Sequence, residues 1–197
     1  SGSVTSICDE IERTVGPVDI VVNCAGVNQV RGRAEDLNIE EWDRVSNVTL
    51  RGAWLVLSVF GSRMAKRRKG SMVAIASSCG MRSVPLHVYG PAKAAVISVV
   101  ANLATEWGRY AVRVNAVSPS VTMTPRVRRH VDNGERDVRR ITETHALGRL
   151  LEPEEIAKAV TFLVSDDASG ITGINLPVDA GWAAASSWAA YADVPRP

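Results

Sequence analysis

The chain has little that suits disulfide, membrane or metal chemistry. Its three cysteines, Cys8, Cys24 and Cys79, are scattered, odd in number and without a Cys-x-x-Cys. Such a set makes no disulfide framework, and free or buried thiols in a reducing cytoplasm are expected. Of the histidines, His130 and His145 have no ligand spacing, so no metal is expected. No stretch approaches the ~20 apolar residues of a membrane span. The first residues lack the charged-then-apolar pattern of a secretory leader. No Gly-x-Ser-x-Gly elbow supports a serine hydrolase. The formal net charge of +2 is too small to call for a polyanionic partner. The basic runs Lys66-Arg67-Arg68-Lys69 and Arg126 to Arg140 are balanced by acids elsewhere. They read as solvated faces, and no nucleic acid is expected.

What is present suits one globular domain. The 197 residues are 46% hydrophobic and 22% charged, enough for a real core. Val4, Ile7, Cys8, Ile11 and Val15 recur at helical spacing until Gly16-Pro17 stops them. Val18 to Asn23 reads as a short buried strand. Asn38 with Glu41 predicts a capping box that opens one long helical region to about Lys69. A strand is expected over 72–76, a helix over 88–108 and a strand over 112–117. The polar, basic stretch 125–145, with Gly134 inside it, predicts a mobile excursion over the site. Pro153-Glu154-Glu155 marks a helix start, with proline pre-set for the first turn and acids at the positive dipole end. A last strand falls near 174–178. Strands alternating with helices predict a parallel, doubly wound α/β sheet.

The chemistry concentrates at Tyr89-Gly90-Pro91-Ala92-Lys93 and the Ser77-Ser78 pair. On a helix, Tyr89 and Lys93 stand at i and i+4 on one face. An ammonium near a phenol is expected to lower the tyrosine pKa, so that the phenol can serve as a general acid or base. The serines follow the apolar run Met72-Val73-Ala74-Ile75-Ala76. They therefore leave a buried strand at its carboxyl end, where open α/β sheets bind ligands. Cys79 with His87 could be drawn as a nucleophile–base pair, but no third orienting group accompanies them.

With Asn23-Cys24-Ala25-Gly26, Val112 through Ser118-Pro119, Ile171-Thr172-Gly173 and Val178-Asp179-Ala180-Gly181 in this order, the chain resembles the short-chain dehydrogenase/reductase family from about residue 4 to residue 182. The resemblance implies an NAD(P)-dependent oxidoreductase that interconverts a secondary alcohol and a ketone by hydride transfer. Tyr89 would transfer the proton, Lys93 would tune it and bond the nicotinamide ribose, and Ser77, with Ser78 as the alternative, would orient the substrate oxygen. Asn23, Ala25 and Gly26 match the segment near the adenine ribose. Pro119, Val121 and Thr124 match the segment that meets the nicotinamide.

Three departures from the family pattern stand out. Thr49 occupies the place of an asparagine that supports a proton relay. Its shorter hydroxyl could bond a carbonyl one turn back, which predicts reduced turnover or a rebuilt relay. Ser120 replaces a glycine, and its Cβ would be strained if the backbone required positive φ. The Gly-x-x-x-Gly-x-Gly turn and the strands around it are absent from this sequence. Residues 1–197 are therefore expected to form a single partial Rossmann-like domain, with the 18–23 strand as an open edge and a tail from about 182. NAD and NADP are left undistinguished.

The apolar helix from Ala92 to Leu103 predicts a homodimer or homotetramer. Val84-Pro85-Leu86, Trp182 and Trp188 point to a hydrophobic or alicyclic alcohol. The tail with Trp188 and Tyr191 is expected to cover a substrate pocket. The alternative to an enzyme is a non-catalytic interaction or regulatory protein of the same fold, which Thr49 and Ser120 favour and an intact Ser77, Tyr89 and Lys93 disfavour.

Overall fold

The computed structural model describes residues 2–185 and 188. Four strands, β1 (Ile20–Asn23), β2 (Gly70–Ile75), β3 (Val112–Pro119) and β4 (Asn175–Val178), form one sheet in that order. Every neighbouring pair is parallel; Val22 lies opposite Val73, Val73 opposite Asn115, and Val117 opposite Leu176. Parallel neighbours need crossovers, and helices supply them. These are α2 (Ile39–Ser46) and α3 (Gly52–Arg67) between the first two strands, and α4 (Tyr89–Trp107) between the next two. The last crossover holds α5 (Pro125–Asp132), α6 (Val138–Thr142) and α7 (Pro153–Val164). α1 (Gly2–Thr14) precedes β1, and α8 (Trp182–Ala185) follows β4.

Both faces of the sheet are covered, as the continuous apolar strands require. Met72, Ala74, Val112, Val114 and Ala116 turn to one face and pack with Leu57 and Met64 of α3 and Val96, Val100 and Trp107 of α4. Val73 and Val117 turn to the other face, against Leu163 of α7. That face also holds Arg113 of β3. Its guanidinium donates to the carbonyls of Leu163 (2.7 Å) and Ser165 (2.8 Å), filling acceptors that the end of α7 leaves open. At the other end of the order, β1 pairs among the described residues only with β2, and Ile20 and Val22 are substantially exposed. α1 is tied to α3 by Glu12, which accepts from Arg63 (2.9 Å) and Arg67 (2.8 Å).

Two elements differ from the sequence expectation. The helical region after Asn38 runs on to Arg67, as expected, but holds a π-helical turn, Asn47–Arg51, between α2 and α3, with the Gly52 amide donating to the Asn47 carbonyl. The expected capping box is also only half made. Asn38 accepts from the Glu41 amide (2.7 Å), but the Glu41 carboxylate turns outward to the Val30 amide (3.1 Å) and Arg44 (3.1 Å). Glu41 thereby anchors the loop after β1 instead of closing its own helix. Residues 125–145, expected as a mobile excursion, contain α5 and α6, joined by a turn in which Gly134 has φ +72°. Among the described residues no helix is long and apolar enough to cross a membrane. Beyond α8 only Trp188 is described, about half exposed; the rest of the tail expected to cover the pocket, Tyr191 included, lies outside the described residues.

Candidate active site

The carboxyl ends of parallel strands leave unpaired backbone and diverging loops, and ligands settle there. Asn23 ends β1, Ser77 lies just past β2 and Pro119 ends β3, so all three stand at that edge. A cavity of about 710 Å³ opens over it, within the size range of small-molecule sites. Ser77, Ser78, Tyr89, Val121 and Thr124 line the cavity.

Local structure fixes the chemistry-bearing side chains. Ser77 is buried and extended (φ −170°, ψ 150°), and its oxygen accepts from the Cys79 amide at 3.2 Å. The turn Ser78–Gly80 then presses against α4. A Cβ on Gly80 would stand 2.7 Å from the Ala94 amide nitrogen, so only glycine allows this approach. It brings Ser77 to Tyr89, the first residue of α4. One turn on, the nearly buried Lys93 donates from Nζ to the Ile75 carbonyl at 2.6 Å. Its Nζ lies 5.8 Å from the centre of the Tyr89 ring.

The electrostatics correct one expectation. Burial raises the Tyr89 pKa above its usual value, and the facing Ser77 hydroxyl only partly offsets that. The ammonium does not win because its proton is aimed at Ile75 and burial also weakens its charged form. Burial lowers the Lys93 pKa to about 8, with Cys24 acting slightly the other way. At neutral pH the site therefore holds a protonated phenol above a lysine that is still mostly charged.

Thr49 is fully buried in the π-turn, and its hydroxyl does not fold back on its own helix. It donates to the Val27 carbonyl and accepts from the Val27 amide, both at 3.3 Å. Ser120 is not strained: among the described residues positive φ outside glycine occurs only at Arg68, Ala111 and Ala180. Its Oγ instead meets His145 Nε2 at 2.8 Å and the Asp179 carbonyl at 3.2 Å. Thr124 N-caps α5 by accepting from the Val127 amide at 3.3 Å.

Two residues were missed by sequence reasoning. Gln29, in the loop after β1, is buried, and its Oε1 accepts from the Val88 amide (2.8 Å) and the Tyr89 amide (3.1 Å). It thus caps the helix that carries Tyr89, which has no side-chain cap of its own. His145, read only as a histidine of the basic stretch, is buried, with Nδ1 2.7 Å from the Ile141 carbonyl. No spacing signal could have found either, because each partner lies far away in the chain or in the main chain. The cavity is mixed in character: Leu86, Val121 and Val127 line it, and Arg31, Arg126 and Arg136 line it too.

The residues fit a dinucleotide at its nicotinamide end. Gly26 leaves open a space in which a Cβ would lie 3.5 Å from Lys93 Nζ and 3.8 Å from Thr49 Oγ1. An ammonium and a hydroxyl thus face the Gly26 backbone, donors of the kind that a ribose hydroxyl would meet. Among the described residues no group of three or more His, Cys, Asp and Glu could hold a metal ion.

Comparison with known proteins shows the family. The family model described as enoyl-(acyl carrier protein) reductase matches residues 1–183. A D-threitol dehydrogenase of Mycolicibacterium smegmatis is 35% identical over 92% of this chain and 69% of its own length. An NAD-dependent glycerol dehydrogenase of Listeria innocua is 36% identical over 91% of this chain and 70% of its own. The chain thus spans about 70% of the length of these relatives. Among solved structures, one from Brucella melitensis named as a ribose-5-phosphate isomerase superposes with TM-score 0.94 at 50% identity, over 99% of this chain and 76% of that one. ElxO with NADP bound superposes with TM-score 0.90 at 27% identity, over 93% of this chain and 74% of that one. The chain belongs to the short-chain dehydrogenase/reductase family and is an oxidoreductase that uses NAD or NADP.

Proposed function

We propose that the protein interconverts a secondary alcohol and a ketone on a polyol-like substrate, with Tyr89 as the proton donor and acceptor. The observation that carries this reading is the meeting of Ser77 and Tyr89 in one cavity, with Lys93 directly behind them. The named polyol dehydrogenases among the relatives support the substrate class. A bound nicotinamide would supply the hydride acceptor for the alcohol carbon and the hydride donor for the ketone. Ser77 holds the substrate oxygen toward Tyr89. In the reducing direction the protonated Tyr89 Oη gives its proton to that oxygen. In the oxidising direction the deprotonated Tyr89 takes the proton back; burial works against that phenolate, and the Lys93 charge, 5.8 Å from the ring centre, works for it. Lys93 and the backbone of Gly26 would hold the ribose, Asn23 and Ala25 would shape the adenine side, and Pro119, Val121 and Thr124 would border the nicotinamide. Thr49 supports the site through Val27 and does not act as a free relay group.

The face of α3 and α4 that carries the half-exposed Trp54 is the surface we assign to pairing of two copies. The three free thiols suit a reducing cytoplasm.

The test follows nicotinamide absorbance with D-threitol, glycerol and their ketones, in the full chain and in Tyr89→Phe. A loss of about 10²–10⁴-fold in kcat with cofactor binding retained is expected. Near-normal activity in the variant would overturn the assignment. Turnover of ribose 5-phosphate to its keto isomer without any nicotinamide would favour the isomerisation that the Brucella protein's name describes.

A further inference from the structure

One wall of the cavity has no part in the reaction just described. Arg31, from the loop after β1, and Arg126 and Arg136, from the α5–α6 segment, line the same cavity as Ser77 and Tyr89. They are close enough that Arg31 and Arg126 both act on Arg136. Among the described residues none of the three makes an ion pair or a side-chain hydrogen bond. Arg136 is the most enclosed, and its Nε is buried without any partner. A guanidinium normally fills its donors, and a buried unfilled one costs free energy. Three like charges at one wall add mutual repulsion. The one carboxylate in the lining, Glu135, bonds His130 and Asn133 and forms no ion pair with any of the three. By contrast, Arg149 forks onto Glu155 at 2.8 Å and 2.8 Å, and Arg63 and Arg67 share Glu12. Arg31, Arg126 and Arg136 gather at one wall without such a carboxylate, and a ligand would bring the missing counter-charge.

We propose that the substrate is an alcohol carrying an oxyanion, a phosphate or a carboxylate, which Arg31, Arg126 and Arg136 bind while Ser77 and Tyr89 take the hydroxyl end. Planar guanidinium forks match such oxyanions with paired hydrogen bonds. The loop that carries Arg31 is held in place: Arg44 donates to the Asn28 carbonyl at 2.9 Å, and Glu41 accepts from the Val30 amide at 3.1 Å. The wall is therefore partly set before binding, which reduces the ordering cost. This inference rests on the alcohol–ketone reading of the site and narrows its substrate.

The test compares glycerol and D-threitol with glycerol 3-phosphate and D-erythronate at fixed ionic strength, in the full chain and in Arg136→Gln. The phosphate and the carboxylate arms tell the two anions apart. At least one anionic alcohol should show a KM lower than its neutral counterpart by about tenfold or more. Arg136→Gln should raise that KM by about 10–100-fold while leaving kcat and the neutral substrates within about twofold. Equal or better use of the neutral alcohols would overturn the proposal and leave the oxidoreductase reading intact. Turnover of none of the four would count against that reading. The anion site would then be judged alone by calorimetric titration of inorganic phosphate. Binding that Arg136→Gln or Arg126→Gln weakens supports the site, and no binding in the unaltered chain overturns it.

Discussion

Tyr89 and Lys93 hang from α4, and Ser77 follows directly on β2, elements rooted in the core; Arg126 and Arg136 hang from or beside α5 and α6, in which no residue is buried. The reacting wall is held by main chain: a parallel ladder, a glycine contact at Gly80 and a lysine anchored on Ile75. The basic wall is held by side chains. His145 reaches Ser120, and Arg44 and Glu41 hold the loop that bears Arg31. The difference teaches where change is tolerated. A wall built from the sheet keeps one chemistry, whereas a wall perched on a few tethers can alter its specificity without disturbing the proton-transfer groups.

After Tyr89→Phe, the strongest way to break the comparison is Lys93→Met. Removing the charge that stabilises the phenolate should lower kcat by about 10²–10³-fold. The same variant tests the cost of burying that charge. Below pH 8 the lysine is protonated in the folded and unfolded chain alike. Between its folded pKa of about 8 and its ordinary value of 10.5, the unfolded chain binds more protons. Stability should therefore rise with pH across that window, by at most about 3 kcal/mol, and Lys93→Met should remove that rise. Urea unfolding at several pH values measures it. An unchanged slope would mean that Lys93 is solvated.

Gln29→Ala sits at the junction of the two walls. It leaves two amides at the start of α4 without an acceptor, a loss of about 1–3 kcal/mol in stability. Because Tyr89 is one of the two, kcat should fall more than KM rises. Gln29→Glu keeps the accepting oxygen and should restore much of the rate. A purely structural role would change stability without that rescue.

The smallest effect should come from Ser120→Ala. It unties His145 and so loosens the basic wall, at about 0.5–1.5 kcal/mol. KM should move by a few-fold with kcat nearly constant. A fall in kcat would show that the tether also positions the reacting wall.

By itself the sequence determined the alternation of strands and helices, the helix that carries Tyr89 and Lys93, and the serine at a strand's end. Those features are local. Apolar runs such as Met72–Ala76 must be buried, four-residue spacing puts Tyr89 and Lys93 on one face, and Pro153 with its following acids begins a helix wherever it stands. The tertiary structure alone decided how the two walls meet. Gln29 caps a helix 60 positions away, His145 reaches Ser120 across 25, and Thr49 holds Val27 through a π-turn that no periodicity announces. Arg126 and Arg136 look like solvated charge in the sequence and join Arg31 in one cavity wall only when the chain closes on itself. Such contacts depend on which backbone groups folding leaves open, and that is a property of the packed molecule rather than of any segment in it.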